Sequence, residues 1–325
     1  MKAAVLEKLG NAPRYGEFST PEIQNDDQLL LEVKAAAVKN LDKLMASGTH
    51  YASHKNLPVV VGMDGVGILE DGSRVYAQGI TGMIAEKALI NKNNYTVIPD
   101  SLDLKIAAAL PNAVLGAAMA LKFRGEIKPG QNVLINGATG VTGQMAVQIA
   151  KYYAAKTIIT TGRNEDNLEK TKKLGAEKTV SLKQEDEDIV KQLKKIHTET
   201  PIDLVIDYLW SKPTELVIAA LKGGGLNNFS HKTRIVTVGS MAGETINLES
   251  GILRSSDIEI VGSGFGSLSK VDLEDFQKQI LPEMFQLAAH GKLSMDLVEG
   301  SIENIEKLWN EKVDSGKRLV ISINE

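Results

Sequence analysis

Between residues 130 and 265 six short runs rich in β-branched and apolar residues, QNVLIN, KTIITT, KTVSL, IDLVIDY, TRIVTVG and IEIVGSG, alternate with stretches of helical period. Strands that recur only after an intervening helix pair in parallel, and their helices cover both faces of the sheet. Six of them complete a doubly wound unit. The preceding segment reads differently. Up to about residue 121, AVLEKL, QLLLEVKAAAV, VGILEDGSRVYA and YTVIP read as short strands, with Asp71-Gly72 placed between apolar runs as a hairpin turn. In LKIAAALPNAVLGAAMALKF, residues 104–123, an alanine-rich helical period takes over, and Pro111 is expected to mark a break or a first turn. Beyond residue 265, helices near 271–290 and 301–314 lead to a closing strand, RLVISI, expected to pack back on the first segment. The stripe Ile280, Met284, Leu287, Ala288 is expected in the core, and KQEDEDIVKQLKKIH reads as a solvated helix surface.

At 325 residues the chain has length for two domains. Its 41 acidic and 37 basic side chains, net charge -4, offer no basic face for nucleic acid. Glu7 and Lys8 interrupt any apolar leader, and no segment reads as long enough to span a membrane, so a cytoplasmic protein is expected. The absence of cysteine removes disulfides, thiol nucleophiles and cysteine-built zinc sites. His50, His54, His197, His231 and His290 show no paired metal-ligand spacing, and each reads as surface or structural.

Function enters at NGATGVTGQMAVQIAK. Gly137, Gly140 and Gly143 follow the strand QNVLIN at a spacing of three and open an apolar-periodic helix. Such glycines permit a tight turn and let backbone N–H groups approach a pyrophosphate at the positive end of a helix. Ala138, Thr139, Val141 and Thr142 complete this cradle. The next strand ends in Thr161, Gly162, Arg163 and Asn164, where an NAD site presents a carboxylate to the ribose and an NADP site a cation to the 2′-phosphate. Arg163, twenty positions after Gly143, predicts NADPH, while Glu165 and Asp166 fit the first turn of the following helix. Val238, Gly239 and Ser240 end the fifth strand, and Gly264, Phe265 and Gly266 follow the sixth, on the side where doubly wound sheets hold ligands. They form a second expected cofactor group.

The segments VKNLDKLMASGTHY, LPVVVGMDGVG, AEKALI with AAALPNAVLGAAMAL, IKPGQNVLINGATGVTGQMAVQIAK, KKLGAEKTV and SGKRLVISI jointly resemble the medium-chain dehydrogenases/reductases, specifically their zinc-free quinone oxidoreductase (zeta-crystallin-like) branch. The resemblance spans nearly the whole chain. It implies an α/β fold in which a Rossmann domain, residues 122–265, is inserted in a GroES-like, mostly β domain, residues 1–121 and 266–325. It also implies a homodimer, for which the last Rossmann strand, DIEIVGSG, is the expected contact.

Zinc-dependent relatives carry a Cys near the start of the first motif and a His-Glu pair in the second. Here Lys39 and Asn40, then Met63 and Asp64, stand in those regions. Without a Lewis acid, simple alcohol dehydrogenation loses its usual activation, whereas a quinone or enone accepts hydride with hydrogen-bond donors and a proton alone. The branch commonly reads Asn-Pro-x-Asp where this chain reads Lys39-Asn40-Leu41-Asp42, so Lys39 matches the Asn beside the nicotinamide pocket. Burial would lower its pKa toward a donor role; a surface position or a pairing with Asp42 is the alternative. Tyr51 could bind a substrate oxygen or simply pack. Asn40, Asp42, Asp64 and Asn112 are further pocket positions, Asp64 as a structural or lining group and Asn112 facing the pocket or capping a helix. The expected protein is an NADPH-dependent reductase of a quinone or α,β-unsaturated carbonyl. The alternatives are a 2-enal or enoyl-thioester reductase and a non-catalytic NADPH-binding redox sensor. The expected partner is a small-molecule electron acceptor. A longer than usual loop, KGGGLNNFSHKTRIVTVG, is a further departure.

Overall fold

The structure is a computed structural model and describes residues 1–50, 52–223 and 230–323. It divides into two compact units, Met1–Pro111 with Asp275–Glu325, and Asn112–Glu274.

The first unit begins with β1 (Lys2–Leu6), β2 (Arg14–Glu17), β3 (Gln28–Val38), α1 (Asn40–Ser47), β4 (Val59–Val60), β5 (Asp64–Ile68), β6 (Arg74–Gly79) and β7 (Lys87–Val97). β3 pairs antiparallel with β5 through Glu32–Ala35 and with β7 through Gln28–Glu32, so β3, β5, β6 and β7 close on one another. Asp71-Gly72 turns the β5–β6 hairpin as expected: Gly72 has φ +85° and the Asp71 carboxylate accepts from the Ser73 N–H at 2.9 Å. Leu31, Val33, Val75, Met83 and Ile90 fill the core of this unit.

Pro111 does not break its helix. α2 (Leu104–Met119) runs through it and continues as a π-helical turn over Ala120–Arg124. Proline forfeits one ladder bond, but Ala107, Ala108, Leu110, Val114 and Ala117 are all buried, and tertiary packing outweighs the local preference. The resulting helix, Leu104–Arg124, has 21 residues and is long and apolar enough to cross a membrane, contrary to the expectation for this chain. Of its most apolar window 67% is buried inside the protein.

The second unit carries β8 (Asn132–Asn136), α3 (Val141–Tyr152), β9 (Thr157–Gly162), α4 (Glu165–Leu174), β10 (Lys178–Ser181), α5 (Asp186–Glu199), β11 (Leu204–Asp207), α6 (Ser211–Leu221), β12 (Thr233–Thr237), α7 (Ser250–Ser255) and β13 (Ile258–Gly262). All six strands pair in parallel in the order β10-β9-β8-β11-β12-β13. The order reverses between β8 and β11, which opens a crevice at their carboxyl ends. Along α5 Ile189 and Leu193 are buried while most of the charged side chains face solvent, as its composition predicts.

From α8 (Lys270–Asp275) the chain passes through a π-helical turn into α9 (Leu281–Ala289), where Ile280 and Met284 are buried and Leu287 and Ala288 half-buried. β14 (Asp296–Ser301), α10 (Ile305–Asn310) and β15 (Lys317–Ser322) complete the fold. β15 pairs antiparallel with Ala35–Val38 of β3, so the last strand joins the sheet of β3, β5, β6 and β7. β14, absent from the sequence reading, adds to β15 as a parallel edge strand.

Candidate functional site

The glycine turn sits at the switch point of the parallel sheet, and each glycine is required for a different reason. Gly137 has φ +89°, a conformation that L side chains rarely adopt. Gly143 lies in the first turn of α3, where an added Cβ would stand 2.5 Å from the Gly137 carbonyl oxygen and 2.6 Å from the Ala138 Cα. Gly140 caps α3 with ordinary φ -82°, no side-chain cap bond, and nothing within 4 Å of an added Cβ. The space before the helix N-terminus is therefore open where a pyrophosphate would lie, and the residues present fit a dinucleotide.

A buried relay holds this turn to the neighbouring strands. The Gly137 N–H donates to Thr161 Oγ1 at 3.2 Å, Thr161 donates to Asn136 Oδ1 at 2.5 Å, and Asn136 Nδ2 donates to Asp207 Oδ1 at 2.8 Å. Asp207 also accepts from Thr214 and from the Leu209 and Trp210 N–H groups. Burial raises its pKa against the pull of these bonds. Ala138 N–H reaches the Thr161 carbonyl at 2.9 Å, and Gly162 leaves no room for a Cβ, which would meet Thr139 Cγ2 at 2.2 Å. Arg163 follows at the end of β9, exposed and with no side-chain partner among the described residues. Asn164 caps α4 by accepting from the Asn167 N–H at 2.9 Å, and Glu165 and Asp166 occupy the first helical turn.

Val238 and Gly239 N–H groups both point at the Asp207 carbonyl, at 2.7 and 3.3 Å, and the Ser240 hydroxyl donates to Glu244 at 2.7 Å. Phe265 opens a short 3-10 turn and is 56% exposed, with open space around the Cβ positions of Gly264 and Gly266.

In the antiparallel unit, β3 and β5 bring Lys39, Asp42 and Asp64 into one buried charge cluster. Lys39 Nζ donates to Asp64 Oδ1 at 2.5 Å and to the Ala37 carbonyl at 3.0 Å, and lies 3.3 Å from Asp42 Oδ2. Tyr76 donates to Asp64 Oδ2 at 3.0 Å. Asp42, at the third position of α1, accepts the Lys39 N–H at 2.8 Å and the Met63 N–H at 3.0 Å. Of the alternatives for Lys39, the pairing with Asp42 is the one the structure forms, with Asp64 as a second partner, and the pKa is raised rather than lowered. Burial pulls it down, but Asp42 and Asp64 outweigh burial and hold the ammonium with a pKa above its ordinary value. Burial, with Asp64, pushes the Tyr76 phenol well up. Burial also lowers Arg318, which the same two carboxylates pull back.

Asp42 and Met63 also line a cavity of about 440 Å³ within this unit, together with Met1, Phe18, Met45 and His54. Asn40 begins α1 and is exposed, and neither it nor Asp64 or Lys39 lines the cavity. Asn112 is mid-helix in α2 and half-buried, so it does not cap that helix. Tyr51 lies outside the described residues, as do residues 224–229 of the long loop. His54 is the cavity residue that the sequence reading passed over, because its lining is gathered from separate strands and loops and leaves no spacing pattern.

Sheet order and glycine geometry place the chain in the class of doubly wound dinucleotide-binding folds. A family model described as zinc-binding dehydrogenase matches residues 141–286. Quinone oxidoreductase of Sus scrofa is 30% identical over 302 residues, 85% of each chain. A probable NADPH-dependent quinone reductase of Emericella nidulans is 26% identical and is covered to 99%, as is this chain. The crystal structure of quinone oxidoreductase from Thermus thermophilus, also determined in complex with NADPH, superposes with TM-score 0.76 at 24% identity, covering 99% of this chain and 100% of that one. The protein belongs to the quinone oxidoreductase branch of the medium-chain dehydrogenases/reductases. It is an oxidoreductase that uses a nicotinamide cofactor.

Proposed function

We propose that the protein is a zinc-independent, NADPH-dependent reductase of quinones or α,β-unsaturated carbonyls. Arg163 carries this reading: an exposed guanidinium with no side-chain partner among the described residues, at the end of the strand beside the cradle, suits a 2′-phosphate, which it can bind bidentately. The bound cofactor would supply a hydride. The glycine turn would hold the pyrophosphate, while Thr161 and Asn136 keep that turn in register with the strand leading to Arg163. Zinc independence rests on residue chemistry, since the positions of the Cys and the His-Glu pair carry Lys39, Met63 and Asp64, and the chain has no cysteine. The Lys39 ammonium serves here as the counter-ion of Asp64 and Asp42.

Loss of NADPH absorbance with an ortho-quinone and a 2-alkenal in parallel, in metal-free buffer, tests the reading. Turnover above the enzyme-free background is expected, and the better acceptor separates quinone from alkene reduction; absence of turnover with both would sink it. Arg163→Glu replaces a charge-assisted contact by repulsion and should shift the ratio of NADPH to NADH dissociation constants on the order of 10²-fold. An unchanged ratio removes Arg163 from the site.

The edge strand β13 exposes a free side of the parallel sheet and is half-buried along its length. Pairing across a two-fold axis would cover it, so light scattering is expected to give the mass of a dimer. A monomer mass at micromolar concentration would contradict this.

A further inference from the structure

The last turn of α5 carries a histidine whose hydrogen bond fixes its protonation state. The Ile202 N–H donates to His197 Nδ1 at 3.1 Å. A ring nitrogen that accepts carries no proton, so His197 is held neutral with its hydrogen on Nε2. An imidazolium has donors only and would set Nδ1–H against the Ile202 N–H. Bond and proton at Nδ1 therefore exclude each other. Ile202 is 1% exposed, so its N–H has little access to water as a substitute. His231 answers a proton differently. Its Nε2 lies 2.8 Å from Asp203 Oδ1, an oxygen that only accepts, and a second proton on Nδ1 leaves that bond intact. The rings of His197 and His231 stand 6.0 Å apart, edge to face.

Residues 200–203, which lead from α5 into β11, tie three strands together. The Pro201 carbonyl accepts Asn132 Nδ2 at 2.8 Å, and the Ile202 carbonyl accepts the Thr233 hydroxyl at 2.6 Å. The Asp203 carboxylate accepts the Asn132 N–H at 2.7 Å, and the Asp203 carbonyl accepts the Arg234 N–H at 3.0 Å. Asn132 begins β8 and Thr233 begins β12, so these bonds lie at the end of the sheet opposite the glycine turn. We propose that this turn is an acid-opened clasp: with His197 neutral it is latched to α5, and a proton taken up at Nδ1 unlatches it and loosens the amino ends of β8, β11 and β12. No step of this depends on a bound cofactor. Asp203 and His231 are the charged groups that act on the ring. Lys178 of β10 donates to Thr200 at 3.1 Å and lies 3.8 Å from Glu199, and α6, packed along α5, carries Lys212 and Glu215 with Lys222 after it. Burial lowers the His197 pKa, His231 adds to this and Asp203 opposes it. A lowered folded value means that the latch is fully formed above the ordinary value of about 6.5 and is lost as pH falls through the folded one.

Hydrogen exchange of the Ile202 amide in the full chain, corrected for the intrinsic effect of pH, reads the latch directly. Its protection should fall on the order of tenfold between pH 8 and pH 5, the ceiling being about tenfold for each pH unit by which latching lowers the His197 pKa. His197→Asn places an amide oxygen near where Nδ1 stands and cannot titrate, so its protection should hold across the same range. His197→Leu removes the acceptor and should be poorly protected at every pH. Wild type and His197→Asn losing protection in parallel would assign the opening to another group and overturn the clasp. Should a variant fail to fold, the wild type alone decides. In assigned NMR spectra its His197 ring and Ile202 amide resonances should move with one common midpoint. A His197 ring that titrates while the Ile202 amide stays fixed, or one that remains neutral down to pH 5, overturns the clasp too.

Discussion

Lys39→Met is expected to lower the free energy of unfolding by about 3–5 kcal/mol, the usual consequence of removing one partner from a buried charge pair. Lys39 is 4% exposed, and its ammonium neutralises Asp64 at 2.5 Å and Asp42 at 3.3 Å. Methionine fills similar volume, so packing changes little and the loss is electrostatic. The size of the loss reflects two stranded carboxylates rather than the worth of the intact cluster, which is smaller because folding must desolvate all its members. The sign of the pH dependence follows. The Lys39 pKa is raised in the folded state, so its contribution is fully present below the unfolded value of about 10.4 and disappears only as pH climbs through the raised one. Across neutral pH the wild-type contribution is therefore flat. Adding Asp64→Asn should recover part of the loss, and urea titrations of the four proteins of this cycle measure the coupling. A Lys39→Met protein as stable as wild type at pH 7 would mean that the cluster is not closed in solution.

How far this was legible in sequence depends on the distance over which each interaction acts. The parallel unit was readable because each of its strands is a short run dense in apolar and β-branched residues, and alternation with helices leaves one sheet type. The glycine turn was readable because its constraints are local: Gly137 needs positive φ and Gly143 close approach within six residues of chain. Lys39 was readable only in part. Its pairing with Asp42 is local, but Asp64 lies 25 positions away and arrives only through the β3–β5 pairing. Burial alone argues for a neutral lysine, and the two carboxylates together outweigh it. β14, DLVEGS, escaped notice because its side chains are half-buried or exposed, and Gly300 stands where a Cβ would meet Leu308 at 2.2 Å. His54 carries no motif because a cavity wall drawn from α1, β4, β6 and several loops has no period.

The same substitution at two cradle glycines should separate loss of fold from loss of site. At Gly143 the nearest atoms to an added Cβ are backbone, at 2.5 and 2.6 Å, so no side chain can rotate away and the turn or α3 must move. Gly143→Val gains back a few tenths of a kcal/mol of helix propensity, against overpacking that costs roughly 1–3 kcal/mol or more, and overpacking wins. A lower unfolding midpoint is expected, together with loss of NADPH binding, because the displaced residues are those that carry the cradle. At Gly140 an added Cβ meets nothing within 4 Å and φ is -82°, so Gly140→Val should cost no more than about 1 kcal/mol, chiefly from a poorer helix cap. Yet the branched side chain enters the open space in front of α3, and NADPH affinity should fall on the order of tenfold or more, about 1.4 kcal/mol for each tenfold. Chemical denaturation and NADPH titration of both variants separate fold from site. A Gly140→Val protein that is stable and binds NADPH like wild type would place the pyrophosphate somewhere other than this turn.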